Sequence, residues 1–195
     1  MPASTVDRIK EEALLLFANE GYDGASLSKI AKRVGIRKSS LYNHFANKED
    51  LFMVLVEDVY KRFAEELRGV VQNQHSHSTK NVLYSAFIKT TDFIRYDAIG
   101  KFYFHYAMFP PADLKEAVRE LFLSFEEELD DVFLPIFRHG IEAGEIENRD
   151  AKMFLNAYYC FLDGISTQMF YYPEETINAR KQHVWTVFWQ GIKKR

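Results

Sequence analysis

Proline stands at positions 2, 110, 111, 135 and 173 and nowhere else. Proline removes a helical donor and clashes with the turn before it, so its placement decides where long helices can run. Between Pro2 and Pro110 nothing interrupts a helix. Strand signals are scarce, and the Asp-Gly pair of "YDGAS" at 22–26 has no sustained apolar–polar alternation around it. The expected fold class is all-α.

Caps and apolar stripes divide the chain into about nine helices. Ser4 begins the first, over 5–20, with Asp7 three residues on, the stripe Ile9, Ala13, Leu16 and Phe17, and Gly21 at its end. Ser26 opens a short second helix that Gly35 closes, and a third is expected over 38–45, with Leu41 and Phe45 one turn apart. Asn47 caps a long fourth helix in which Leu51, Leu55, Val59, Phe63 and Leu67 recur at steps of four, while Glu49 and Asp50 suit its positive end. The polar stretch 72–81, "QNQHSHSTKN", reads as a loop before a fifth helix over 79–95. Asp97 caps a sixth, stopped by Pro110-Pro111. A seventh over 112–143 is expected to kink or split at Pro135, an eighth follows Asp150 to 171, and a ninth covers 175–193 beyond Pro173.

The charge is segregated. Lys and Arg number 25 against 28 Asp and Glu, a net −3. Yet residues 26–48 hold Lys29, Lys32, Arg33, Arg37, Lys38 and Lys48 with no acidic residue, so the rest of the chain carries −9. Nucleic-acid binding therefore has to be local. Two short helices joined through a Gly-containing turn have helix-turn-helix geometry, in which the second helix offers its outer face to the major groove. With Leu41 and Phe45 turned to the core, Lys38, Ser39, Tyr42, Asn43 and His44 point outward. Lys and Arg neutralise phosphates, Asn reads adenine through paired contacts, and Tyr and Ser hydroxyls bond phosphate oxygens. Backbone N–H groups near Leu27 and Ser28, and Lys48 at the start of the fourth helix, add phosphate contacts. The bland alternative is a solvated face of a helical hairpin.

"SLSKIAKRVGIRKSSLYNHFANKEDLF", with "ALLLFANEGYDGAS" before it, resembles the DNA-binding domain of the TetR family of bacterial transcription regulators. The resemblance covers about residues 5–55. It rests on Phe17, Gly21 and Tyr22, then Ile30 and Ala31, the turn Val34–Gly35–Ile36, and Leu41, Tyr42, His44, Phe45 and Lys48. The family often has Ser or Thr in place of Arg37 and Gly in place of Ser39, so the start of the third helix differs here. The resemblance implies a helix-turn-helix domain over 1–50 and a helical ligand-binding and dimerisation domain over 51–195. It also implies a homodimer on a near-palindromic double-stranded operator, with repression as the usual output and activation as the alternative. The expected DNA-binding residues are Ser26, Leu27, Ser28, Arg37, Lys38, Ser39, Ser40, Tyr42, Asn43, His44 and Lys48.

Beyond residue 80 the chain is rich in aromatics: twelve of 17 Phe and eight of 11 Tyr lie between Tyr84 and Tyr172. A large aromatic core explains this, as does a cavity for a small hydrophobic or aromatic effector. Phe102, His105, Tyr106, Phe109, Phe125 and Tyr158 are the candidate lining. The eighth and ninth helices are apolar nearly all round, and such a helix is buried on all sides. Phe161, Leu162, Ile165, Met169, Trp185 and Trp189 are the candidates for a dimer interface, or for the subunit's own core.

Other classes find little support. The chain has no Gly-rich phosphate loop, no nucleophile elbow and no HExxH, and none of its six His follows a Glu by three residues. No enzyme activity, cofactor or metal is expected, and weak metal binding at His75 and His77 is a remote alternative. A helical protein-binding adaptor without DNA binding fits an acid-free segment poorly. Cys160, the lone cysteine, is expected to be buried, and with no disulfide and no long apolar run the location expected is cytoplasmic, without a membrane.

Overall fold

The computed structural model describes residues 4–72 and 78–195. Among them lie nine α-helices: α1 (Thr5–Gly24), α2 (Leu27–Val34), α3 (Lys38–Tyr42), α4 (Lys48–Gln72), α5 (Thr79–Tyr96), α6 (Ala98–Met108), α7 (Lys115–Glu142), α8 (Ala151–Gln168) and α9 (Glu174–Ile192). A 3₁₀ turn at Ala112–Leu114 precedes α7. No strand occurs among the described residues, only one isolated bridge between Ile146 and Lys193. His75 and His77 fall outside the described residues.

Local chemistry fixes most helix starts. The Ser4 hydroxyl accepts from the Asp7 N–H at 3.1 Å while the Asp7 carboxylate accepts from the Ser4 N–H at 3.0 Å, a reciprocal capping box. Asp97 and Asp150 cap α6 and α8 by accepting from Ile99 and Lys152. Asn47 Oδ1 accepts from the Asp50 N–H at 2.7 Å at the head of α4. Two expectations change. Pro135 lies inside α7 without splitting it. The third helix ends at Tyr42 rather than 45, where the helical ladder tightens into turns: the Asn43 N–H donates to the Ser40 carbonyl and the His44 N–H to the Leu41 carbonyl, each three residues back.

The described residues form two compact units, one within 4–62 and 96–124 and one within 63–72, 78–95 and 125–195. In the first, α1, the first half of α4 and α6 meet in an aromatic knot, while α2 packs on α1 and α3 on α2. Phe52 meets Phe17 edge-on at 5.4 Å, Tyr22 at 5.0 Å and Tyr106 at 4.9 Å, with Phe102 beside it at 5.8 Å. Edge-to-face packing of this kind adds about 0.5–1.5 kcal/mol per pair beyond area burial. The second unit packs α5, α8, α9 and the remainder of α4 and α7 around Phe87, Phe133, Phe137 and Tyr158. Phe63 stacks on Phe93 at 4.8 Å. The wholly buried Tyr158 hydroxyl donates to the Leu83 carbonyl at 2.8 Å, so it enters the core without losing a hydrogen bond.

Candidate nucleic-acid interface

The amphipathic second helix sets the interface. Leu27, Ile30, Ala31 and Val34 are buried against the rest of the first unit. The Ser26 hydroxyl accepts from the Lys29 N–H, so it does not cap the Leu27 and Ser28 N–H groups of the first turn. Gly35 then takes a left-handed conformation at φ 77°, which a side chain would strain. Its N–H returns to the Ala31 and Lys32 carbonyls, and the chain reverses into α3.

Leu41 is fully buried and Phe45 nearly so. These two anchors turn the other face of α3 outward: Arg37, Lys38, Ser39, Asn43 and His44 are exposed, Tyr42 is 48 % exposed and Ser40 half-buried. Lys38 Nζ lies 5.7 Å from the Tyr42 ring centroid. The structure thus brings the sequence-predicted recognition residues onto one surface. Leu27 itself is buried and can offer DNA only its backbone.

Lys48 is held back from solvent. Its Nζ donates to the Tyr22 carbonyl at 3.0 Å and sits 3.9 Å from the Tyr22 ring centroid, tying the head of α4 to the end of α1. Burial raises the Tyr22 phenol above its ordinary pKa, and Glu49, Asp113 and Asp23 raise it further.

Two features escape sequence reasoning. The acid-free segment does not make an acid-free surface: Glu20 of α1 pairs with Lys29 at 2.7 Å and Arg33 at 3.3 Å, and Glu12 approaches Arg33 at 3.9 Å. The Lys29 ammonium holds the Glu20 carboxyl below the usual range. The eight-residue spacing of Glu12 and Glu20 on one helical face was the available signal. Arg8 is the second: its guanidinium donates to the Val34 carbonyl, bracing the last turn of α2 from α1.

The candidate ligand residues divide. Phe102, His105, Tyr106 and Phe109 belong to the first unit, Phe125 and Tyr158 to the second. Phe102 and Tyr106 are buried in the aromatic knot, and the Tyr106 hydroxyl donates to the Phe17 carbonyl at 3.0 Å. Burial, with Asp23 nearby, pushes that phenol up to about 12. His105 is exposed and Phe109 is 70 % exposed. Phe125 is buried beside Phe63.

The candidate interface residues also divide. Leu162, Ile165 and Trp185 are buried within the subunit, so their apolar area is already covered. Phe161, Met169 and Trp189 are half-buried. Met153, Ala157, Cys160 and Gly164 lie exposed along α8, and Val187 is 72 % exposed on α9. Cys160, expected to be buried, is therefore a surface thiol. Among the described residues no cluster of His, Cys, Asp or Glu is arranged to hold a metal, and no helix is long and apolar enough to cross a membrane.

A basic pair of short helices, braced by a third and presenting exposed Arg, Lys, Tyr, Asn and His, defines a helix-turn-helix DNA-binding protein. Residues 9–55 match the family model of bacterial regulatory proteins, tetR family, so this part of the chain is similar to that family's DNA-binding domain and supports a DNA-binding regulator. Over 96 % of its length and 99 % of the relative's, it is 28 % identical to the biofilm operon icaADBC HTH-type negative transcriptional regulator IcaR of Staphylococcus epidermidis. The IcaR of Staphylococcus aureus (strain Newman) is 48 % identical over 46 residues, 24 % of this chain and 25 % of that one. The transcriptional regulator FadR from Bacillus subtilis, solved in complex with stearoyl-CoA, shares the fold at a TM-score of 0.76 and 21 % identity, over 95 % of this chain and 98 % of that one.

Proposed function

We propose that the protein is a ligand-responsive repressor that binds a near-palindromic operator as a homodimer. Residues 1–50 supply the DNA-binding function, and residues 51–195 the effector and dimerisation functions. The observation that carries the DNA reading is the two-faced third helix: Leu41 and Phe45 buried, Lys38, Ser39, Tyr42, Asn43 and His44 turned out. In this reading Asn43 contacts a base, and Arg37, Lys38, Ser39, Ser40, Tyr42 and His44 divide between bases and phosphates. Ser26, the Leu27 and Ser28 N–H groups and Lys48 fix the register on the backbone. Repression is favoured by the likeness to a negative regulator along almost the whole chain.

The dimer reading is supported by the exposed stripe Met153, Ala157, Cys160 and Gly164, at helical spacing, with Val187 beside it. A Cβ built on Gly164 meets nothing within 4 Å, so a second backbone has room to approach. A small hydrophobic or aromatic effector acts through its differential affinity for two conformations. Helix α4 is the lever, because it gives Phe52 and Val56 to the first unit and Phe63 to the second.

Selection of bound fragments from random duplex DNA tests this reading. The expected result is an inverted repeat whose half-sites lie about 10 base pairs apart or a multiple of that. Recovery of unrelated sequences, or of a single half-site, overturns it.

A further inference from the structure

A groove on the first unit lies between α1, α4 and the start of α6 and encloses about 430 Å³, a size that suits small molecules. Its floor is apolar. Leu14, Leu55 and Val59 are buried there, and Leu15 and Ile99 half-buried. Its mouth is charged. Lys10 Nζ pairs with Asp58 at 2.6 Å, and Arg62 also holds an interaction of its own. Asp97 accepts from the Ile99 N–H. Glu11 stands exposed at the same mouth, with no ion pair found for it among the described residues. None of these residues belongs to the DNA face or to the candidate effector and dimer residues.

We propose that this groove is a second small-molecule site, taking an amphiphile with an apolar body and one positively charged head. The body covers Leu14, Leu55 and Val59, and the head meets Glu11. Charge decides the class. Both cations at the mouth are already engaged, so an anionic head gains no free partner and faces Glu11, Asp58 and Asp97. A cationic head meets Glu11, and Asp97, whose carboxylate is engaged by the Ile99 N–H, adds to the field that favours it. A molecule seated there touches α1, α4 and α6 together and holds them in one arrangement. Its effect on DNA affinity rests on the DNA-binding reading, whereas its binding does not.

The test titrates octylammonium, octanoate and octanol separately into the full chain without DNA, following methyl resonances of Leu14, Leu55, Val59 and Ile99. Octylammonium is expected to saturate these shifts, and octanoate to bind at least tenfold more weakly. Glu11→Lys is expected to weaken octylammonium about tenfold. Ala98→Trp, which sets an indole over the groove, is expected to abolish binding. Circular dichroism confirms that each variant is folded, and Glu11→Lys alone suffices if Ala98→Trp is not. Octanoate binding as tightly as octylammonium, shifts unaffected by Glu11→Lys, or no saturable shift at these methyls overturns the proposal. An operator assay run separately reports on the DNA reading, so the two fail independently.

Discussion

The Tyr106 hydroxyl on α6 donates a hydrogen bond to the Phe17 carbonyl on α1 across 3.0 Å, inside the aromatic knot of the first unit. Both residues are almost wholly buried. The bond therefore fixes α6 to the helix that braces α2.

Tyr106→Phe keeps the ring against Phe52 and removes only the donor. The Phe17 carbonyl is left without that partner, and such a loss costs about 1–3 kcal/mol. Thermal unfolding is expected to show this as a lowered midpoint. An unchanged midpoint means that water replaces the phenol.

Glu20→Gln is expected to separate stability from DNA affinity. Lys29 loses its anionic partner and Arg33 keeps only Glu12 at 3.9 Å, so affinity for any duplex rises and depends more steeply on salt. The midpoint of unfolding falls slightly, since exposed pairs contribute little. The sign with pH follows from the lowered carboxyl. Its stabilisation is complete above the unfolded pKa and is lost as pH falls through the folded one. The gap in midpoint between parent and variant should thus be open at pH 7 and close as pH drops below about 4. A constant gap across that range contradicts the pairing.

Asn43→Ala and Lys38→Ala are expected to differ in kind. If Asn43 reads a base, its loss costs about 1–3 kcal/mol at one operator position and relaxes the preference there. Lys38→Ala instead weakens all duplexes and flattens the salt dependence. Binding to a panel of single-base operator variants distinguishes them. A uniform loss for Asn43→Ala removes it from base reading.

Gly140→Ala tests packing in the second unit. A Cβ at Gly140 meets Thr79 Cγ2 and Oγ1 at 2.8 Å, and Thr79 is buried with its hydroxyl donating to Glu145. Overpacking of this kind costs about 1–3 kcal/mol. Denaturant titration should show a lower midpoint, partly restored by Thr79→Ser.

What the sequence discloses is what neighbouring residues decide. Ser4 with Asp7, Ser26, Asn47, Asp97 and Asp150 all cap where they were expected to, because a cap depends on a few adjacent side chains and N–H groups. The inward turn of Leu41 and Phe45 was legible for the same reason. What stayed hidden depends on which faces meet. Glu20 reaches Lys29 and Arg33 only once α1 lies on α2. The orientation of α8 could not be chosen from a helix with apolar residues on every side, so Leu162 and Ile165 point into the subunit and Cys160 points out. Recognition of the DNA face came from the joint pattern of charge, turn and aromatic residues, each of which is weak alone.

The exposed position of Cys160 has a practical side. Cys160 is the chain's one cysteine, and it lies in the α8 stripe proposed as the contact between subunits, so a thiol-directed reagent reads that contact through its access. Modification would be fast in a lone subunit and slow in a dimer, and its rate against protein concentration would measure how tightly two subunits hold, without engineering a single new residue.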